Sequence, residues 1–209
     1  STTTGAYCKA RQRLPTDMIT ELVKQTGQLM LEQIPHHWHW QGHRVKLVDG
    51  TTVTLPDTAT NQQRYPQQKA QQPGLGFPVA RIVGVICLAS GALLQAAMGA
   101  FKGKGASEHA LLRQVMDSFE PGDVVLADRY YCSYFLIALL MARGVEVVFQ
   151  QNAVRKTDFR TGQKLGARDH IVTWKKPIMP AWMTISQYAA LPDELTLREL
   201  KSNGRVLVT

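Results

Sequence analysis

Two acidic residues close apolar runs in this chain. Asp49 follows Val45-Lys46-Leu47-Val48 and precedes Gly50-Thr51-Thr52. Asp128 follows Val124-Val125-Leu126-Ala127 and precedes Arg129-Tyr130-Tyr131. A carboxylate at the carboxyl end of a buried strand is held by a rigid element and points into the crevice where α/β sheets take ligands. On neighbouring strands two such groups offer hard oxygen donors suited to Mg²⁺ (or Mn²⁺), and an ion of that kind implies phosphate chemistry. Each has a plainer use when taken singly. Asp49-Gly50 fits a hairpin turn, and Asp128 fits the cap of a following helix. The pair together points to a site.

The charge balance fits a polyanionic partner. The 209 residues carry 24 Lys and Arg against 16 Asp and Glu, a formal net charge of +8. Such a balance favours nucleic acid, held through backbone phosphates. Lys102, Lys104, Arg129, Arg155 and Lys156 are the candidate DNA-binding cations, with Arg113 and Arg160 further available. The clustered His36, His37, His39 and His43 have no accompanying Cys and lack the usual paired ligand spacing, so they read as a packed loop with Trp38 and Trp40 rather than a zinc site. Cys8, Cys87 and Cys132 are odd in number and widely spaced, which suits reduced thiols in a cytoplasmic protein. The apolar stretch 77–101 is broken by Arg81, Gln95 and Ser90-Gly91 and alternates like two strands, so no membrane span is expected.

The elements that must position these residues follow from periodicity. Helical spacing runs over 15–34, from Pro15 to Pro35. A strand to Asp49 comes next, then a polar Gln- and Pro-rich loop over 56–78, including Gln71, and a hairpin over 79–90 and 92–101. Ser107 caps a helix to Phe119, a strand covers 123–128, an apolar helix 131–143, and a strand 146–151. The order β, β-hairpin, α, β, α, β is that of an RNase H-like α/β fold, with the first and fourth strands adjacent at the centre. After residue 152, segments 169–174, 182–188, 195–200 and 204–209 read as short strands. The expected division is a remnant of an N-terminal helical DNA-binding region over 1–42, an RNase H-like catalytic core over 43–152, and an incomplete β-rich insertion subdomain over 153–209.

Five segments resemble the DDE transposases of bacterial insertion sequences, the insertion-sequence-four family in particular. They are TGAYCKARQRLP (4–15), VDGTTVTLPDT (48–58), GFPVARIV (76–83), ASEHALLR (106–113) and DVVLADRYYCSYF (123–135). The resemblance implies an RNase H-like core with a β-rich insertion, and a Mg²⁺ pair held by two Asp and one Glu. Asp49 and Asp128 would be the catalytic and metal-binding Asp residues. It also implies cleavage of a phosphodiester at transposon ends, strand transfer into target DNA, nucleoid-associated action, and a homodimer of the full-length protein. The third carboxylate of the family lies in a Tyr-two-Arg-three-Glu-six-Lys signature. No tyrosine after Asp128 has Arg three positions on, because Tyr188 is followed by Leu191. Glu194 and Glu199 do not fit it, so the chain alone is expected not to turn over. Two other functions compete: an RNase H-like nuclease completed by another acid such as Glu108, and a non-catalytic DNA-binding or dimerisation remnant.

Overall fold

The computed structural model describes residues 4–70, 72, 74–103 and 105–209. Gln71 and Lys104, both singled out in the sequence, lie outside them. The first helices are α1 (Thr4–Gln12) and α2 (Thr16–Glu32). Next come β1 (Val45–Thr54), α3 (Ala59–Arg64), β2 (Val79–Cys87), β3 (Leu93–Ala100) and α4 (Glu108–Gln114). The chain continues with β4 (Val124–Ala127), α5 (Tyr134–Met141) and β5 (Glu146–Gln150). Last are β6 (Gln163–Gly166), β7 (Asp169–Lys175), α6 (Ile185–Ala190), β8 (Glu194–Ser202) and β9 (Arg205–Val208).

All the strands join one mixed sheet in the order β3-β2-β1-β4-β5-β9-β8-β7-β6. The first five reproduce the expected RNase H-like α/β arrangement. β1 pairs antiparallel with β2 and parallel with β4, and β4 pairs parallel with β5. The register sets Val48 opposite Ala127. The β-rich residues after 152 extend this sheet rather than form a separate one, through Phe149–Val208 and Gln150–Leu207.

Helices cover both faces. Gly27 of α2 sits so close to β3 that a Cβ there would lie 2.8 Å from the Leu93 carbonyl oxygen, so only glycine lets this helix settle on the strand. On the other face, a Cβ at Gly99 of β3 would meet Leu111 of α4 at 3.0 Å. Ser107 caps α4 by accepting from the Ala110 N–H at 3.2 Å, and Ser133 caps α5 by accepting from Leu136 N–H at 3.4 Å. Leu111, Leu112, Leu136, Ile137 and Leu140 are buried under these helices. Each such side chain contributes about 1.5–3 kcal/mol relative to exposure. At the amino ends of β1 and β4, buried Lys46 meets buried Asp123 at 2.6 Å and donates to the Ser118 carbonyl at 2.6 Å. Both charges are thereby compensated, which a buried ion requires.

Several expectations are corrected. β1 does not stop at Asp49 but runs to Thr54, because β2 pairs with it as far as Thr54–Val79. Asp49-Gly50 is therefore no turn. Asp128 does not cap α5, since Ser133 does. The segment 182–188, expected as a strand, carries α6, with a capping box between Thr184 and Gln187. The polar segment 56–78 contains α3, whose cap is Thr58. Strand β6, with all four residues exposed, had no apolar alternation to announce it.

Candidate metal and nucleic-acid site

Asp49 and Asp128 each stand one residue beyond the Val48–Ala127 pair, on adjacent parallel strands. Neighbouring strands lie about 4.8 Å apart, so the two residues are lateral neighbours. Both are exposed. They differ in setting: Asp128 follows the last residue of β4, whereas Asp49 lies inside β1, whose remaining five residues continue beyond the point where β4 ends. A step in the sheet results.

The backbone directions show where the Asp49 carboxylate goes. The Arg44 carbonyl accepts from Val124 N–H on the β4 side, while the Val45 carbonyl accepts from Leu88 N–H on the β2 side. Peptide groups alternate sides along a strand, so the Gly50 N–H, an even number of residues from Arg44, points to the β4 side. β4 has ended there and offers no acceptor. Asp49 Oδ1 fills that role, accepting from Gly50 N–H at 2.8 Å. Its carboxylate thus turns into the gap that β4 leaves. Asp128 is pinned in a complementary way, its Oδ1 accepting from Tyr130 N–H at 2.8 Å as the chain turns away.

Tyr131 and Glu108 add to the surroundings of the two aspartates. Tyr131 is completely buried, yet its hydroxyl has no partner at hydrogen-bonding geometry. Burial first, then the charge of Glu108 and the approach of the hydroxyl to its carboxylate, and after these the charges of Asp49 and Asp128, hold its phenol protonated well above the ordinary range. Glu108 opens α4, and its carboxylate lies over Gly50, where a Cβ would sit 2.5 Å from the Glu108 carboxyl carbon. Glu108 also faces Arg81 of β2 at 3.7 Å. His109 stacks on Tyr131 and places Nε2 2.5 Å from the Tyr130 carbonyl, so that nitrogen carries the proton. Burial lowers its pKa, against the opposing pull of that hydrogen bond.

As donors, the Asp49 and Asp128 carboxylates fit a hard divalent ion. Among the described residues, no three His, Cys, Asp or Glu side chains stand close enough together to hold one. Sequence reasoning named Glu108 only as a possible completing acid and missed Tyr131. The polar slot of Gly50 was the available signal, but nothing in the sequence said which side chain would enter it.

The candidate DNA-binding cations gather by topology. β1, β4 and β5 are parallel, and β3 runs in the same sense because it is antiparallel to β2. Exposed Lys102 after β3, Arg129 after β4, and Arg155 and Lys156 after β5 therefore lie along the edge that carries Asp49 and Asp128. The Arg155 guanidinium stacks 3.7 Å over the Trp174 ring, so it is already engaged. Lys104 lies outside the described residues. No described helix is long and apolar enough to cross a membrane.

Residues 40–200 match the family described as a transposase DDE domain. The chain is also similar to transposase InsG for insertion sequence element IS4 of Escherichia coli, at 30% identity over 172 residues. That alignment takes in 82% of this chain and 38% of the relative, so the chain spans well under half the relative's length.

Proposed function

The chain belongs to the transposase DDE domain family, and from that membership we propose that it forms part of the catalytic unit of an insertion-sequence transposase. The unit cleaves phosphodiesters at transposon ends and transfers the freed strand to target DNA. Asp49 and Asp128 are two of its metal carboxylates. One observation supports the reading: within the matched span, Asp49 and Asp128 each directly follow a member of the Val48–Ala127 pair on adjacent parallel strands. The family implies a divalent metal and a DNA substrate. We assign Mg²⁺, with Mn²⁺ as a substitute, because both donors are carboxylates.

When bound, the metal polarises phosphoryl oxygen and makes water or a 3′-hydroxyl a better nucleophile at neutral pH. The chain's own contribution is positional. Gly50 N–H and Tyr130 N–H fix the two carboxylates, so little reordering is needed when the ion arrives. Lys102, Arg129 and Lys156 are assigned to backbone phosphates of double-stranded DNA, which set its register without reading sequence. Arg155 is assigned a weaker part in this, through the rim of its stack on Trp174. In the same reading residues 1–42 belong to an N-terminal DNA-binding region, 43–152 to the catalytic core, and 153–209 to an insertion that precedes the family's third carboxylate. The full-length protein acts as a homodimer.

The test uses both the 209-residue chain and a longer protein in which a segment with the family's Tyr-Arg-Glu-Lys signature is joined after residue 209. The longer protein should cleave transposon ends in Mg²⁺. Asp49→Asn and Asp128→Asn should each reduce cleavage on the order of a thousandfold, as expected for several kcal/mol of metal-derived stabilisation. The 209-residue chain should neither nick nor join. Cleavage by that chain alone, abolished by Asp128→Ala, would show that it already holds every carboxylate it needs.

A further inference from the structure

His109 of α4 has no role in the reading above, yet it makes three contacts with the turn that carries Asp128. Its Nε2 lies 2.5 Å from the Tyr130 carbonyl oxygen. Its ring meets that of Tyr130 edge-on at 4.9 Å and stacks on Tyr131 at 6.1 Å. A carbonyl only accepts, so Nε2 donates and fixes the peptide between Tyr130 and Tyr131. The other end of that peptide is held as well, because Tyr131 N–H donates to the Asp128 carbonyl at 3.2 Å. One residue back, Tyr130 N–H donates to Asp128 Oδ1 at 2.8 Å. The last pairs of β4 are Val48–Ala127 and Ala127–Phe149, so no strand ladder supports Asp128 or Tyr130. A single exposed bond from backbone to carboxylate is weak, because water competes for both partners. The brace from α4 makes up for the missing ladder.

We propose that His109 is a positioning residue for Asp128, acting through the Tyr130–Tyr131 peptide to keep the Tyr130 N–H aimed at Oδ1 while the other carboxylate oxygen stays available to a divalent cation. The inference rests on the metal reading given above and adds no ligand to the site. Groups one shell out from a metal orient the side chains that touch it, and their loss is felt in metal affinity. The alternative is that His109 only packs α4 against the molecule. Two features favour positioning. Helix α4 is already seated by Ala110, Leu111 and Leu112, all buried, whereas His109 is only partly so. The hydrogen bond of His109 goes to the turn backbone, two residues from the Asp128 carboxylate, rather than to the sheet beneath the helix.

The test compares His109→Phe, which keeps an aromatic ring and loses the donor, with His109→Gln, which sets an amide N–H near the place of Nε2. Mn²⁺ binding to the 209-residue chain is followed by calorimetry and by the electron paramagnetic resonance signal of free Mn²⁺. Metal-free melting midpoints confirm that each variant is folded. His109→Phe should weaken Mn²⁺ binding about tenfold, as loss of an outer partner of a metal site does. His109→Gln should stay within about threefold of wild type, because the donor is kept. Nitrogen NMR of the metal-free wild type at mildly alkaline pH needs no variant, and should find the ring proton of His109 on Nε2. A proton on Nδ1 would break the chain of bonds and overturn the inference. Equal loss in His109→Phe and His109→Gln would overturn it too, since packing rather than the donor would then matter. Wild-type affinity in His109→Phe, alongside loss in Asp49→Asn and Asp128→Asn, would overturn the role of His109 and leave the aspartate site standing. Wild-type affinity in both Asp variants would overturn the site and this inference with it.

Discussion

Gly50 serves the site in two ways: its N–H fixes the Asp49 carboxylate, and its missing side chain leaves room for Glu108. The sequence showed Asp49 and Asp128 clearly, because an acid closing an apolar run is a local pattern. It misjudged the strand around Asp49, because Asp-Gly is a strong turn signal and only the partner strand β2 overrides it. Tyr131 was illegible for a different reason. Its burial and its three acidic neighbours come from α4, β1 and the turn after β4, which are far apart in sequence. A buried hydroxyl without a partner costs on the order of 1–3 kcal/mol, and removing it with its shape retained is neutral or favourable. Tyr131→Phe should therefore raise the unfolding free energy of the metal-free protein by about 1 kcal/mol, read from urea denaturation. A loss of similar size would mean that the hydroxyl donates to Glu108 after all.

Among the elements, those with strong periodicity or a cap were legible: α2, the β2–β3 hairpin, β4 and β5 all lie within a few residues of expectation. The miss at 182–188 had a readable remedy, since Thr184-Ile185-Ser186-Gln187 is a capping box and outweighs the apolar alternation that suggested a strand. What joins the later strands to one another was not readable. Glu199 of β8, buried, accepts from Trp174 Nε1 at 2.8 Å and lies 3.3 Å from His170 Nε2, both on β7. Glu199→Ala would strand both partners, so we expect a loss of about 2–4 kcal/mol in urea denaturation. A change under about 0.5 kcal/mol, ordinary for a surface site, would remove this cluster as a clamp on the extended sheet. The loop before β6 has its own lock. The Arg160 guanidinium grips Asp158 through both carboxylate oxygens at 2.8 Å and, with the Arg160 N–H, holds its carboxyl down at about 2. A folded pKa below the unfolded one stabilises at higher pH, so this contribution is present above about 3.8 and is lost as pH falls through about 2. Carbon-detected NMR of the Asp158 carboxyl should show that low midpoint, and Arg160→Gln should return it toward 3.8. An unmoved midpoint would mean the pair does not form in solution.

For the whole molecule, the net charge of +8 has a direction only because the topology gives it one. The sequence displayed an excess of cations but not their grouping, which depends on β1, β3, β4 and β5 sharing one sense. Lys102, Arg129 and Lys156 then follow three different strands onto the edge that bears the two aspartates. Lys24 on α2 lies elsewhere, beside a cleft lined by Lys46, Asp117 and Glu120 at the opposite edge. Counterion release ties affinity to the number of phosphates neutralised, with about 0.9 in the logarithmic salt slope for each contact on duplex DNA. Duplex binding should therefore weaken steeply as salt rises. Replacing Lys102, Arg129 and Lys156 together by Gln should flatten the slope by about 2–3, since three contacts are removed. Lys24→Gln should leave the slope unchanged, although it alters the net charge by one, and this separates a docking edge from a diffuse positive field. Fluorescence anisotropy across a salt series measures both. Equal flattening per charge in the two sets would place the DNA on no particular face, and the edge carrying Asp49 and Asp128 would lose its claim to the substrate.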